Sequence, residues 1–424
     1  MSHITADRWA AVDWGDQSHA VVVIDDQGDV VLSFQVPHTA EGLRGLVQSL
    51  RECGAIQGVA VEQARNLMVH QLLQGGFIVY PINPKLSDTW RKGWKVTAPK
   101  SDPTDARVLA DGLRHHHAHL RPLLPDDPLT RELAMLCADE CALIGQRTAL
   151  VNQLQAALKE YYPSALEWFS DWTSPTAWDF VLTFPRPEAL QRASRKKVCG
   201  FLRAHHIGLT PLWQGRVDQR DQAAAWPSDP PTVEAKEFLA VALAKQLRTL
   251  QANLEAYRKR IEELYQQHPD AFLFSSLPGA GPKLGPRLLS HFGSDRARFT
   301  SAQSLQQLSG TVPVTRQSGR RREVVIRRAC QKPFRKTMHL FAFQTIERSA
   351  WARAFYDRAR QAGQPHSLAL RNLASKWLKV IYRMWQDRVP YEESTYLSSL
   401  ARRGSPLAAQ LALAAPGGKP VDNP

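Results

Sequence analysis

WAAVDWGDQSHAVVVIDDQGDVVLSFQVP, residues 9–37, decides how the N-terminal part of this chain folds. Apolar residues cluster at Ala10–Val12 and again at Val21–Ile24. The turn-forming run Asp25-Asp26-Gln27-Gly28 follows, and Val30–Val36 returns, so the stretch reads as a β-hairpin arrangement. Working outward, Glu41–Arg51 carries a helical pattern, and the apolar strand Gly58–Val61 leads directly into Glu62. A helix over Leu67–Gln74, a strand over Phe77–Ile82 and a helix starting near Asp102 complete the segment. Strands first in a hairpin, then alternating with helices, predict an α/β domain with a mixed sheet.

Four carboxylates stand at notable places in that order. Asp13 closes the first strand, Glu62 ends a later one, and Asp102 and Asp105 open the last helix within Lys100-Ser-Asp-Pro-Thr-Asp-Ala106. Strand ends of an open sheet converge on one edge, and residues three apart share a helix face. Oxygen donors with open positions suit a hard cation such as Mg²⁺ or Mn²⁺ that holds phosphate and water. Each residue also has a plain structural reading. Asp102 before Pro103 is a good N-cap, Asp105 then sits where a capping-box acid would, and Asp13 precedes a glycine turn.

Charge is unevenly divided. The chain of 424 residues carries a net +14 with a sequence pI near 9.7. Residues 1–112 hold 10 Lys/Arg against 13 Asp/Glu, a net of −3, which leaves +17 for residues 113–424. A basic body joined to a slightly acidic head suits a polyanion-binding protein whose head binds a metal. The five cysteines Cys53, Cys137, Cys141, Cys199 and Cys330 form no paired zinc pattern and read as reduced packing residues. His115, His116, His117 and His119 read as a surface linker. No apolar run is long enough to cross a bilayer and the polar start lacks a signal-peptide core, so no membrane association is expected and the expected location is cytoplasmic.

Helical periodicity covers 129–162 and 233–267, long enough for a helical hairpin or coiled-coil arm. Between them, 163–230 is rich in Trp and Pro, with a basic run at Arg192–Lys197, and reads as a small irregular helical insertion. The stretch from about Arg402 to Pro424 reads as a disordered tail, being rich in Ala, Gly and Pro.

Two features of the C-terminal part point to nucleic acid. LPGAGPKLGPRLLSHFG, residues 277–293, has the form of a helix-hairpin-helix. There Gly279 and Gly281 would let a turn approach a phosphate, with Lys283 beside it and a helix N-terminus offering N–H groups. Further on, Val314–Lys336 holds nine Lys/Arg and one Glu, with Ser318 followed by Gly319 in its midst. Arg316, Arg320, Arg321, Arg322, Arg327 and Arg328 are candidate phosphate contacts. A serine hydroxyl needs activation to be a nucleophile, and arginines balance charge on a phosphoryl group in transit, so Ser318 has the neighbours for attack on a DNA phosphate. The alternative is a phosphate-gripping turn.

Asp13, Glu62, Asp102 and Asp105 together resemble the DEDD tetrad of the RuvC-like transposases of the insertion-sequence 110 family, which includes pilin-gene-inverting recombinases. The resemblance runs from about Arg8 to Arg114 and resumes in the C-terminal part. There Ser318, following Pro313, matches the family's nucleophilic serine, although Gln-Ser-Gly-Arg-Arg replaces the usual Ser-Ser-Gly-Gly-Lys. Ser367–Met384 fits the family's closing helices. The resemblance implies an RNase H-like (RuvC-like) domain over 1–125 and a helical, coiled-coil region over 126–270 with its insertion. It further implies a mainly α-helical transposase domain over 271–400 and a tail over 401–424. By the same resemblance the enzyme cuts and rejoins donor and target DNA with Mg²⁺ or Mn²⁺, guided by a structured bridge RNA. It would act as a dimer or tetramer in association with a bacterial nucleoid. A metal-dependent junction resolvase or nuclease, with Ser318 as a phosphate contact only, is the competing reading.

Overall fold

A computed structural model describes residues 7–94, 101–219, 229–408 and 411. It divides at Pro125/Asp126 into two compact units. Lys100 and most of the expected tail lie outside the described residues.

The first unit is a five-stranded sheet with helices on both faces. Its elements are β1 (Arg8–Asp13), β2 (Ser18–Ile24), β3 (Val30–Pro37), α1 (Ala40–Glu52), β4 (Ile56–Val61), α2 (Leu67–Gln74), β5 (Val79–Pro81), α3 (Pro84–Trp94) and α4 (Asp102–His116). Strand order is β3-β2-β1-β4-β5. The first three strands form an antiparallel meander, and β4 and β5 join β1 in parallel. β1, β2 and β4 are apolar almost without interruption because the sheet is covered on both sides. Ala10, Val12, Val21, Val23, Val59 and Val61 pack under α1 and α2. Trp9, Ala11, Val22, Ile24 and Ala60 pack under Ala106, Leu109, Ala110 and Leu113 of α4. β3 is the edge strand and alternates exposed with inward residues. The histidines after α4 are held by aromatic contacts, His116 stacked 5.5 Å from Trp90 and His117 4.5 Å from Trp9.

The second unit is mainly helical. α5 (Pro128–Tyr161) and α10 (Pro230–Gln267) pack along their lengths. The pairs Glu132–Arg260, Glu140–Arg258 and Glu160–Lys236 show them to be antiparallel. At one end the Trp/Pro-rich segment folds as α6 (Pro175–Thr183), α7 (Pro187–Gln191), α8 (Arg195–Ala204) and α9 (Pro211–Asp218). These short helices enclose an aromatic core of Trp168, Trp172, Trp178, Phe180 and Phe184. At the other end stand α11 (Ala271–Ser275), α12 (Gly281–Phe292), α13 (Ala302–Ser309), a hairpin of β6 (Val314–Ser318) and β7 (Arg321–Val325), α14 (Lys332–Thr345), α15 (Ala350–Gln361), α16 (His366–Asp387) and α17 (Glu393–Arg402). Their helices share one core that includes Phe334, Phe341, Trp351, Trp377 and Trp385. All five cysteines are free thiols.

Leu407, near the start of the stretch expected to be a tail, is buried against the C-terminal core. Apolar burial carries the chain several residues past the point where composition turns to Ala, Gly and Pro.

Candidate active site: a carboxylate edge and a serine hairpin

In the first unit the register of parallel strands determines the site. Val12 of β1 pairs with Val61 of β4, so the next residues, Asp13 and Glu62, emerge side by side at the carboxyl edge of the sheet. Such edges are where open α/β sheets bind ligands. α4 lies across the same sheet and brings its first turn there. Its N-cap is Ser101, whose Oγ is 2.8 Å from Thr104 Oγ1. The capping readings of Asp102 and Asp105 therefore do not hold. Asp102 is exposed in the first turn, and Asp105 turns inward and is buried.

Asp13 feels the other three carboxylates. Burial, then the charges of Glu62, Asp105 and Asp102, raise the Asp13 carboxyl to about 6, while Arg91 opposes the shift. Glu62 Oε1 accepts a 2.7 Å hydrogen bond from Ser87 Oγ. Arg91 Nε stands 2.9 Å from Asp105 Oδ1. That pair is a charge contact out of line for a hydrogen bond: both atoms are buried and neither has a hydrogen-bond partner among the described residues.

These features test the fit of a divalent cation. An all-oxygen donor set, a carboxyl held up by like charges and a buried, unsatisfied Asp105 oxygen all suit a hard cation. Among the described residues, however, no three carboxylate, imidazole or thiol side chains converge at ligand spacing. The two facts are compatible, since charges interact over a Debye length of about 8–10 Å whereas Mg²⁺ ligation needs about 2.1 Å. The donors fit, in an open arrangement that ligation would tighten.

Ser87 and Arg91 lie on α3, a helix absent from the sequence expectations. Its signals are nonetheless local: Asn83 Oδ1 accepts from Lys85 N–H, Pro84 opens the helix, and Leu86 and Trp90 are four apart on its inner side.

In the second unit Ser318 is the last residue of β6 and pairs with Arg321 across a two-residue turn. Strand alternation sets Arg316 and Arg321 on the Ser318 face, with Gln317 and Arg322 on the other. Gly319 has φ of +56°, whereas Arg320 has negative φ, the pattern of a II′ turn that needs glycine only at its first central position. This explains how Arg320 can stand where the family carries a second glycine. Ser318 and the arginines from 316 to 322 are all exposed. Arg328 is exposed, and Arg327 is half-buried. Among the described residues no side chain hydrogen-bonds Ser318 Oγ.

The segment 277–293, read as a helix-hairpin-helix, is a turn followed by α12, with the short α11 just before it. Gly279, with φ of +78°, makes its close approach to α14, where a Cβ would lie 3.0 Å from that of Gln344. Gly281, Pro282 and Lys283 are exposed at the start of α12. Pro282 lacks an N–H, so the first turn offers those of Gly281 and Lys283.

The sequence is similar to known proteins along nearly the whole chain. Residues 10–163 match a family model described as Transposase, of the DEDD type of IS110. Residues 271–357 match one described as Transposase IS116/IS110/IS902 family. The "Mini-circle putative transposase for IS117" of Streptomyces coelicolor is 30% identical over 406 residues, 92% of this chain and 97% of that protein. The chain belongs to the IS116/IS110/IS902 transposase family. An IS900 42 kDa protein of Mycobacterium paratuberculosis is 29% identical, covering 91% of this chain and 98% of its own. An IS116 44.8 kDa protein of Streptomyces clavuligerus is 26% identical over 90% and 95%. In this transposase the first matched region contains all four carboxylates, and the second contains Gly279, Gly281 and Ser318. Residues 164–270, which include the aromatic insertion, fall outside both. No helix among the described residues is long and apolar enough to cross a membrane.

Proposed function

We propose that this transposase cuts and rejoins DNA through a covalent phosphoserine at Ser318, assisted by a Mg²⁺ or Mn²⁺ ion at Asp13, Glu62, Asp102 and Asp105 of an RNase H-like (RuvC-like) domain. The observation that carries the reading is the meeting of four carboxylate charges on one sheet edge, felt by Asp13. The antiparallel β3-β2-β1 meander continued by parallel β4 and β5 supports the RNase H-like assignment. When bound, the cation supplies charge neutralisation at a phosphate oxygen. The carboxylates hold it, Ser87 orients Glu62, and Arg91 balances charge until it arrives.

At Ser318 the Oγ attacks phosphorus, its proton leaves, and the P–O bond to a deoxyribose oxygen breaks. That oxygen takes up a proton, so the exchange balances. The new ester conserves the phosphodiester energy, and reversal by another strand's hydroxyl rejoins DNA. Arg316 and Arg321, on the Ser318 face, are set to stabilise the phosphoryl oxygens. Arg320, Arg322, Arg327, Arg328, Gly281 and Lys283 contact backbone phosphates, whereas Gly279 supports that turn from α14. Guidance by a structured RNA from the element, and assembly as a dimer or tetramer, rest on the family resemblance.

A nuclease reading, in which the carboxylates activate water and Ser318 grips phosphate, is favoured by one observation: no base is hydrogen-bonded to Ser318 among the described residues. The test incubates labelled DNA carrying donor and target sites with enzyme, RNA and Mg²⁺, then resolves it on a denaturing protein gel. A labelled band at protein mass, absent in Ser318→Ala, supports the transposase reading. Clean cleavage by Ser318→Ala overturns it in favour of the nuclease.

A further inference from the structure

At the foot of the hairpin is a cluster of cations without acids. Arg335 and His339 are four apart on α14, hence on one face of it. α14 packs against α16, which carries Arg371. Arg335 is tied to the hairpin: its Nε donates to Ser309 O at 3.4 Å, and a terminal nitrogen donates to Arg327 O just beyond β7. Three nitrogens of this neighbourhood, His339 Nε2, Arg371 Nε and Arg327 Nε, are buried with no hydrogen-bond partner among the described residues. No carboxylate among the described residues pairs with Arg335, His339 or Arg371. Some other half-buried cations of the same unit do have acids, as Arg287 and Arg258 have Glu140 and Arg296 has Asp270.

We propose that Arg335, His339 and Arg371 form a binding site for one backbone phosphate of a nucleic acid, fixing the strand at the base of the hairpin that carries Ser318. Like charges gathered around unsatisfied donors disfavour the empty state, and an anion with several acceptor oxygens answers both deficits. Burial, then Arg335 and Arg371, lower the pKa of His339, and burial, then Arg335, lower that of Arg371. Two guanidinium cations thus face an imidazole held neutral, and a bound anion would reverse these shifts. Arg371 offers a planar fork and His339 a single N–H, donors that a phosphate with its several acceptor oxygens can answer together. The inference rests on the nucleic-acid-binding part of the reading above and not on the serine chemistry.

The test uses the full-length protein and a labelled DNA duplex, with affinity measured across a salt series. Arg371→Gln is expected to weaken binding several-fold and to make the slope of log affinity against log salt shallower by about 0.9, one phosphate's worth. Arg371→Lys should keep most of the slope. Inorganic phosphate should raise the pKa of His339, followed by NMR on the resonance lost in His339→Gln, and the rise should vanish in Arg371→Gln. Thermal stability of Arg371→Gln should equal or exceed wild type, because a repulsion is removed. An unchanged slope in both Arg371→Gln and His339→Gln overturns the proposal, even if free phosphate still moves His339. A lowered melting temperature with an unchanged slope marks Arg371 as a packing residue and overturns it too. Failure of the serine chemistry would instead show in the adduct gel and leave these slopes untouched.

Discussion

Arg91 Nε lies 2.9 Å from Asp105 Oδ1 at the edge of the sheet where Asp13 and Glu62 emerge, without the alignment of a hydrogen bond. The guanidinium thus stands as a counter-charge to a cluster that repels itself. Arg91→Met removes the one charge among the described residues that lowers the Asp13 pKa. The Asp13 carboxyl is therefore expected to titrate above about 6 in this variant, followed by carboxyl-carbon NMR in metal-free buffer. A titration that stays put or falls would show that Arg91 does not face the cluster.

The same shift makes stability depend on pH in an unusual direction. The Asp13 pKa is raised from 3.8 unfolded to about 6 folded. Its contribution is then fully present below pH 4 and is lost as pH rises through 6. Comparison with Asp13→Asn isolates this residue from the other carboxylates. Wild type should lose up to about 3 kcal/mol relative to the variant between pH 4 and 7, less whatever water screens. Saturating Mg²⁺ should abolish the difference. Denaturant melts at each pH, with EDTA or Mg²⁺, check it; a wild type that gains on the variant with rising pH contradicts it.

Asp105→Asn keeps the shape of a buried side chain and removes its charge. Since Asp105 caps nothing, helix α4 should survive, and melting should shift by only a few degrees, a change of about 1 kcal/mol. Recombination should be lost, and the Asp13 pKa should move down toward the ordinary carboxylate range. A folded Asp105→Asn enzyme that recombines at the wild-type rate would remove Asp105 from the site.

The hairpin prediction separates backbone from chemistry. Gly319→Ala introduces a side chain at φ of +56°, where space is open but the backbone is strained, at about 1 kcal/mol. Arg320→Gly should be tolerated structurally, since the second turn position already has negative φ. Adduct yield should therefore fall in Gly319→Ala, and less so in Arg320→Gly, where one phosphate contact is lost. Equal yields in Gly319→Ala and wild type would mean that the turn does not position Ser318.

Glu140 is 3% exposed and holds Arg258 at 3.1 Å and Arg287 at 2.7 Å, joining α5, α10 and α12. Breaking a buried pair strands the opposite charge, which costs about 3–5 kcal/mol. Glu140→Ala should destabilise the second unit by that order and leave the first unit's melting unchanged. Calorimetry that finds less than about 1 kcal/mol would show the network to be solvated.

Much of the architecture is written locally in the chain. The runs Ala10–Val12, Val21–Ile24 and Gly58–Val61 read as strands because they are short and rich in valine and isoleucine. The long periodic stretches 129–162 and 233–267 become α5, one residue off at each end, and α10, which starts three residues earlier. The choice of Asp13, Glu62, Asp102, Asp105 and Ser318 as candidate site residues rests on residue type and order in the chain, with no coordinate needed. What the sequence could not contain is distance. That Asp13 and Glu62 are neighbours depends on the Val12–Val61 register, a contact between residues 49 apart. That Asp105 faces inward instead of capping α4 depends on how the helix lies on the sheet, and Arg91 meets it only because α3 packs beside α4. The gathering of Arg335, His339 and Arg371 likewise needs α14 laid against α16. Local sequence sets each element through short-range sterics and hydrogen bonding, whereas charge–charge distances arise only when burial of apolar faces brings distant elements together.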